Sequence, residues 1–427
     1  MEFLTNFDFW QRIYSLICFG LSMSLREKLS VPRLSSKKEH DEYLDAVFRR
    51  EVRFPFGVAG MGVGYSNANL VTAAMEERMM GTLAATAIGY NDNREAILAE
   101  KSFDKRVALY KEANARVLLE QIRAVRERMP HGILAVNVLA AASDFRELID
   151  VMGKSKEVDI AFVGAGLPRE LAKQMEQYPA MRYMPIVSSN RAASIMLRSA
   201  SDTTRPPDAF YMEDPTKAGG HLGAKDVADA LNKEKFDFRL LCEQIRAVIP
   251  EKTPLIAGGG MGHRGRMNTA LDIGYDGVIA GTPFLLTQES GLPDHIIEKY
   301  FLDSRYGVAT VQTSPAGLPS RIIQAPKNPE DFRSEIRARC VSCIGHERCG
   351  FFNADFKEEE MKPLDERKYC IAHRLPMTQR GEEGGTLFTG ELEPWRKKLK
   401  LLRKDDKPYI PTVKEITELI FREREAT

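Results

Sequence analysis

The stretch LIAGGGMGHRGRMNTALDIGYDGVIAGTPFL, residues 255–285, decides the fold. It belongs to two short apolar runs, TPLIAGGG (253–260) and GVIAGTPFL (277–285), with a helical stretch between them. Continuous rather than alternating apolar character suits strands of a parallel sheet covered on both faces. Working outward, the same kind of run recurs six more times: FPFGVAGMG (54–62), TLAATAI (82–88), ILAVNVL (133–139), VDIAFVGAG (158–166), RYMPIVSS (182–189) and DAFYMED (208–214). Amphipathic stretches such as KRVALYKEANARVLLEQIRAVRERM (105–129) and FRLLCEQIRAVIP (238–250) lie between them, with apolar residues at helical spacing.

Eight strands with interleaved helices over about 240 residues predict an α/β fold, a (β/α)8 TIM barrel. A doubly wound open sheet is the structural runner-up. No G-x-G-x-x-G turn follows the first run, which argues against the dinucleotide-binding version of that alternative. Glycines and small polar residues gather at the ends of the runs: Gly60-Met61-Gly62, Asn137, Gly164–Gly166, Ser188-Ser189, Gly258–Gly260 and Gly281-Thr282. In a barrel those ends converge on one face, where the active site is built. A turn alone explains any one of these glycines, but it does not favour the third consecutive glycine after the seventh strand.

The chain of 427 residues divides into an N-terminal extension (1–50), the barrel (51–325) and an α-rich C-terminal appendage (326–427) carrying a cysteine cluster. Hydrophobic residues make up 43% and charged residues 28%, an ordinary balance for a globular enzyme with a full core. Lys and Arg number 61 against 60 Asp and Glu, so the overall field favours neither nucleic acid nor an anionic membrane as partner. The stretch FWQRIYSLICFGLSMSL (9–25) is broken by Arg12 and reads as an amphipathic extension, not as a membrane span or a cleaved signal. The basic run WRKKLKLLRKDDK (395–407) lacks the aromatic interleaving of a nucleic-acid surface and reads as an exposed helix face.

Backbone N–H groups bared at Gly259, Gly260, Gly281 and Thr282 suit a phosphate monoester near a helix N-terminus. No G-K-[ST] follows, so a nucleoside triphosphate is not indicated. At this point GVAGMGVGYSNANL (57–70), EDPTKAGGHLG (213–223), PLIAGGGMGHRGRMNTALDIGYDGVIAGTPFLLTQES (254–290) and TSPAGLP (313–319) resemble the corresponding segments of the nitronate monooxygenase (2-nitropropane dioxygenase) family. The resemblance covers about residues 54–325 and, more loosely, YCIAHRLPMTQRGEEGGTLFTG (369–390).

That resemblance implies an FMN-dependent barrel oxidoreductase. Carried over by position, Gly60, Met61 and Gly62 would lie against the flavin ring, while Asn137 and Ser188 would reach it from strands three and five. Gly259, Gly260, Gly281 and Thr282 would hold its phosphate. Gly219 and Gly220 would let the chain pass close beside it, presenting His221 as a base or polar anchor titrating near neutrality. The bland reading of His221 is a structural histidine bonded to the flavin or to a carbonyl. The implied reaction oxidises alkyl nitronates with O2 to a carbonyl compound and nitrite. Alternatives are an NAD(P)H-dependent reductase of an enoyl thioester or quinone, and a flavin- or metal-binding partner subunit of a larger synthase. The expected partners are a small-molecule substrate with O2 or NAD(P)H, in a cytoplasmic chain, with a homo-oligomer left open.

Two departures stand out. Bulky Met79 and Met80 occupy a segment that is small in the family, as core filling or as a narrowed entrance. The long SASDTTRPPDAFY segment (199–211), with Arg198 and Arg205 at hand, reads as a solvated loop or as a basic lid. Lastly, Cys340, Cys343, Cys349 and Cys370 have spacings that suit zinc or an iron–sulfur cluster better than disulfides. His346 or His373 could replace one ligand, and unmetallated thiols are the alternative.

Overall fold

A computed structural model describes residues 23–325, 333–363, 366–402 and 408–422. The N-terminal amphipathic stretch therefore lies almost wholly outside the described residues, as does the last part of the basic run. All eight apolar runs carry barrel strands: β1 (Gly57–Val58), β2 (Gly81–Ala84), β3 (Leu134–Leu139), β4 (Ile160–Gly164), β5 (Arg182–Val187), β6 (Phe210–Glu213), β8 (Leu255–Gly258) and β9 (Gly277–Ala280). The expected seventh and eighth strands are thus β8 and β9, because a two-residue strand, β7 (Gly220–His221), intervenes. The neighbour order is β1-β9-β8-β6-β5-β4-β3-β2, every pair parallel.

The ring closes between β1 and β2 through one residue. Met80 accepts the Val58 N–H at 2.9 Å and donates its own N–H to Phe56 O at 2.9 Å. Its side chain is fully buried and turned into the barrel, so a Cβ on the facing Gly57 would sit 2.4 Å from Met80 Cε. Met80 is therefore core filling at the bottom of the barrel and narrows no entrance.

Inward positions follow the two-residue period of the strands. Met80, Ala135, Ile160, Phe162, Met184, Ile256 and Ile279 form the lower layers. The helix Lys37–Phe48 plugs this floor with Tyr43, Leu44 and Val47. Buried His40 on that helix fixes it to Asp159 at 2.8 Å, and Asp159 also pairs with Arg126 at 2.8 Å. Part of the N-terminal extension is thus an integral stopper. Arg205 also belongs to the lower part of the molecule. It donates to Pro179 O and Met181 O and pairs with Asp208, just ahead of β6, which rules out a lid.

Over the upper rim lies a small antiparallel sheet of β7, β10 (Val308–Val311) and β11 (Ser320–Ile323). The C-terminal helices, among them Ile371–Gln379, Glu393–Leu401 and Val413–Arg422, pack on the barrel; Ile416 and Ile420 of the last are fully buried. Replacing Met80 by Ala should leave a cavity on the floor and destabilise the chain by about 2–5 kcal/mol, read as a lower midpoint in urea unfolding.

Candidate functional site

At the C-terminal ends of the strands the barrel opens into a cavity, and the sequence-derived candidates converge on it. Gly60, Met61, Gly62, Asn137, Gly219, Gly220, His221, Gly259, Gly260, Gly281 and Thr282 all line it. Ser188 does not. It is buried beneath the loop after β7, its Oγ donating to Glu213 O at 2.7 Å, and a Cβ on Gly223 would fall 2.3 Å from that oxygen. Ser188 holds the end of β6 in place, so the expected contact from strand five is corrected to Ile186.

The exit of β1 is shaped by close approach. Asn137 Nδ2 donates to Gly60 O at 3.0 Å, and a Cβ on Gly60 would lie 2.4 Å from Asn137 Cβ. Ser66 Oγ braces the same turn, accepting Met61 N–H at 2.9 Å and donating to Ala59 O at 3.0 Å.

On the opposite side, Gly259 and Gly260 have φ of +85° and +72°, a region that favours glycine. A Cβ on Gly259 would lie 2.8 Å from Asp214 O. Asp214 is 2% exposed; it accepts from Arg266 and from Thr216 N–H, locking the loop after β6 against that after β8. His263 occupies the N-cap position of the helix Arg264–Asp272, stacks on Trp395 with centroids 5.8 Å apart, and accepts from Lys398 Nζ at Nδ1 (3.1 Å). Both rings line the cavity.

The appendage supplies the remaining wall, including Ile371, Leu375, Phe388, Gly390 and Glu391. Gly390 N–H donates to Thr282 Oγ1 at 2.9 Å, and Lys217 pairs with Glu391. A Cβ on Gly219 would lie 2.5 Å from Thr389 C and 2.6 Å from Gly390 N. The glycine pair thus admits the crossing segment 387–391 as well as baring backbone to the cavity.

His221 sits on β7, paired with Ser320 of β11. Its Nε2 is 2.7 Å from Ser314 Oγ, which also accepts Ala316 N–H at 3.2 Å, and its ring meets Phe388 edge-on at 5.3 Å. The TSPAGLP segment is therefore the histidine's bracket. Burial pushes the His221 pKa down to about 4, so it is a neutral imidazole at physiological pH, not a group titrating near 7 as expected.

Two inward residues of β6 were missed from sequence. Tyr211 and Glu213 both line the cavity, and burial, reinforced by Asp214 and opposed by Arg321, pushes the Glu213 pKa up to about 8. The alternation Ala209, Tyr211, Glu213 was the available signal. The four cysteines line one small void elsewhere, within the appendage. Among the described residues, no three His, Cys, Asp or Glu side chains are arranged to hold a single metal ion, and no helix is long and apolar enough to cross a membrane.

A glycine-lined cradle whose Cβ positions are already filled, under a rim carrying Lys217, His263 and Thr282, fits the phosphate end of a flavin mononucleotide. The family model for nitronate monooxygenase matches residues 48–341. A Mycobacterium tuberculosis (3aS,4S,5R,7aS)-5-hydroxy-7a-methyl-1-oxo-octahydro-1H-indene-4-carboxyl-CoA dehydrogenase is 26% identical over 288 residues, 67% of this chain and 68% of that protein. The protein of the same name from Rhodococcus jostii is 26% identical over 64% of this chain and 63% of its own length. In fold the chain resembles FabK from Thermotoga maritima (TM-score 0.56, 19% identity, covering 88% of this chain and 94% of the other). It likewise resembles a nitroalkane oxidase from Streptomyces ansochromogenes (TM-score 0.52, 17% identity, covering 79% and 89%).

Glu213 makes the site testable through stability. Its folded pKa lies above the unfolded value, so the folded chain holds a proton that the unfolded chain releases between pH of about 4.5 and 8, and stability falls as pH rises through that window. His221 acts in the opposite sense, its contribution being lost as pH falls from about 6.5 toward 4. In flavin-free protein, the Tm of Glu213→Gln minus that of the parent should therefore increase from about pH 5 to about pH 8.

Proposed function

The chain belongs to the nitronate monooxygenase family and is a flavin-dependent oxidoreductase; from that premise we propose that it holds FMN in the rim cavity and oxidises alkyl nitronates with O2 to a carbonyl compound and nitrite. The observation that carries this reading is His221, neutral, bracketed by Ser314 and presented to the cavity between two glycine-bared loops.

Gly60, Gly62 and Asn137 would shape the seat of the flavin ring, and Gly259, Gly260, Gly281 and Thr282 would receive the phosphate, with Gly390 holding Thr282 in place. When bound, the flavin supplies the electron chemistry that side chains lack. His221 orients the substrate. In the tautomer whose Nε2 accepts from the Ser314 hydroxyl, Nδ1–H would donate a hydrogen bond to a nitronate oxygen, an acceptor with no proton of its own to give. Glu213, held protonated by burial, lets the cavity receive an anionic nitronate without a second negative charge opposing it. Phe388, Ile371 and Leu375 keep the site apolar on the appendage side.

A second reading, NAD(P)H-dependent turnover of a thioester substrate, is favoured by the two relatives named as CoA-ester dehydrogenases. Anaerobic mixing separates the two. Bleaching of the flavin by a nitronate alone, with nitrite formed on admission of air, supports the first; rapid bleaching by NADH or NADPH with none by nitronate supports the second. His221→Ala should retain bound flavin and lose about 10²-fold or more in turnover. Undiminished turnover would remove the histidine from the chemistry.

A further inference from the structure

The four cysteines of the appendage take no part in the flavin site, yet the fold gathers them. Cys340, Cys343, Cys349 and Cys370 all line one small void whose other walls are largely apolar, including Ile336, Val341, Ile344, Phe351 and Ala372. Cys343 and Cys349 are each 8% exposed, and no disulfide joins any of the four. Every pair among them lies close enough to interact electrostatically.

Three features set the surroundings of the sulfurs. Backbone N–H groups are aimed at the sulfurs: Ser342 N–H reaches Cys340 Sγ at 3.3 Å, Ala372 N–H serves Cys343 and Cys370, and His373 N–H serves Cys370. Cys370 is the N-cap of the nine-residue helix Ile371–Gln379, where the helix dipole favours negative charge. Buried Arg106, 6% exposed, donates to Cys340 O at 3.0 Å and Ala338 O at 3.0 Å, placing a fixed cation beside the loop. The loop itself turns through left-handed residues at Ser342 (φ +54°) and Gly345 (φ +74°), which curl Cys340 and Cys343 toward the same side.

A lone zinc ion needs its thiolates at about 2.3 Å in a tetrahedron, and no three of these side chains converge on such a point. A polynuclear centre carries its ligands further apart around an inorganic core. His346 is no natural substitute: its ring packs against Phe103 and Phe352, with centroids 5.5 and 5.4 Å away.

We propose that Cys340, Cys343, Cys349 and Cys370 hold an iron–sulfur cluster in the void within the appendage. The cluster would sit next to the flavin cavity, since Ile371, which lines that cavity, directly follows Cys370.

The test uses the full chain, purified without air, with iron and acid-labile sulfide measured per chain and flavin measured separately by its fluorescence after release. At least two iron with matching sulfide are expected, along with an electron paramagnetic resonance signal on reduction with dithionite. Cys343→Ser and Cys370→Ser should each lose both, whereas Cys242→Ser, a buried thiol on the helix Phe238–Arg246, should keep them. Should the serine variants fail to fold, iron-edge X-ray absorption of the parent decides: sulfur neighbours with a second iron shell support the cluster, and iron without an iron neighbour overturns it. A parent lacking iron and sulfide, one equivalent of zinc in their place, or iron that survives both substitutions overturns it equally. Flavin content is independent of these outcomes, so failure here leaves the flavin reading standing.

Discussion

The upper half of the molecule depends on Arg321. Its guanidinium is 7% exposed and donates to Ala218 O at 2.7 Å and Pro215 O at 3.2 Å, the two ends of the turn that leads from β6 to His221. Its own main chain pairs with Gly220 and accepts Thr389 N–H at 3.3 Å. One residue therefore ties the loop after β6, the rim strand carrying the histidine and the crossing segment of the appendage. A buried cation of this kind is tolerable because carbonyl oxygens and the nearby Asp214 and Glu391 meet it.

The same region holds two ionisable groups in their uncharged forms by one cause. Burial moves His221 down and Glu213 up, so at neutral pH the cavity wall presents a neutral imidazole and a neutral acid. A pair pushed apart in this way can accept a proton at one place and retain one at another, without the repulsion that ionised neighbours would impose on an anionic ligand.

The barrel was legible because its strands are apolar on both faces, and the rim because close backbone approach leaves glycines that no side chain can replace. Gly60, Gly219 and Gly259 are each backed by atoms less than 3 Å from where a Cβ would stand. Glu213 and Tyr211 escaped because DAFYMED reads as one continuous run, which conceals that Ala209, Tyr211 and Glu213 share the inward face. Ser188 misled for the opposite reason: its place at the end of a strand points to the rim, but Gly223 passes over it. The roles of Phe388 and Gly390 and of the stopper helix rest on contacts across more than a hundred residues. Local pattern carries no trace of such contacts.

The plugged floor decides how the molecule can be used. With Tyr43, Leu44, Val47, Phe54 and Met80 packed beneath it, the chamber is closed from below among the described residues, and its lining gathers at the upper rim. Entry through the floor is barred, so an oxidant and a reductant cannot approach from opposite ends of the barrel. Whatever meets a ring seated at the rim must therefore come to it from the side that the appendage helps to wall.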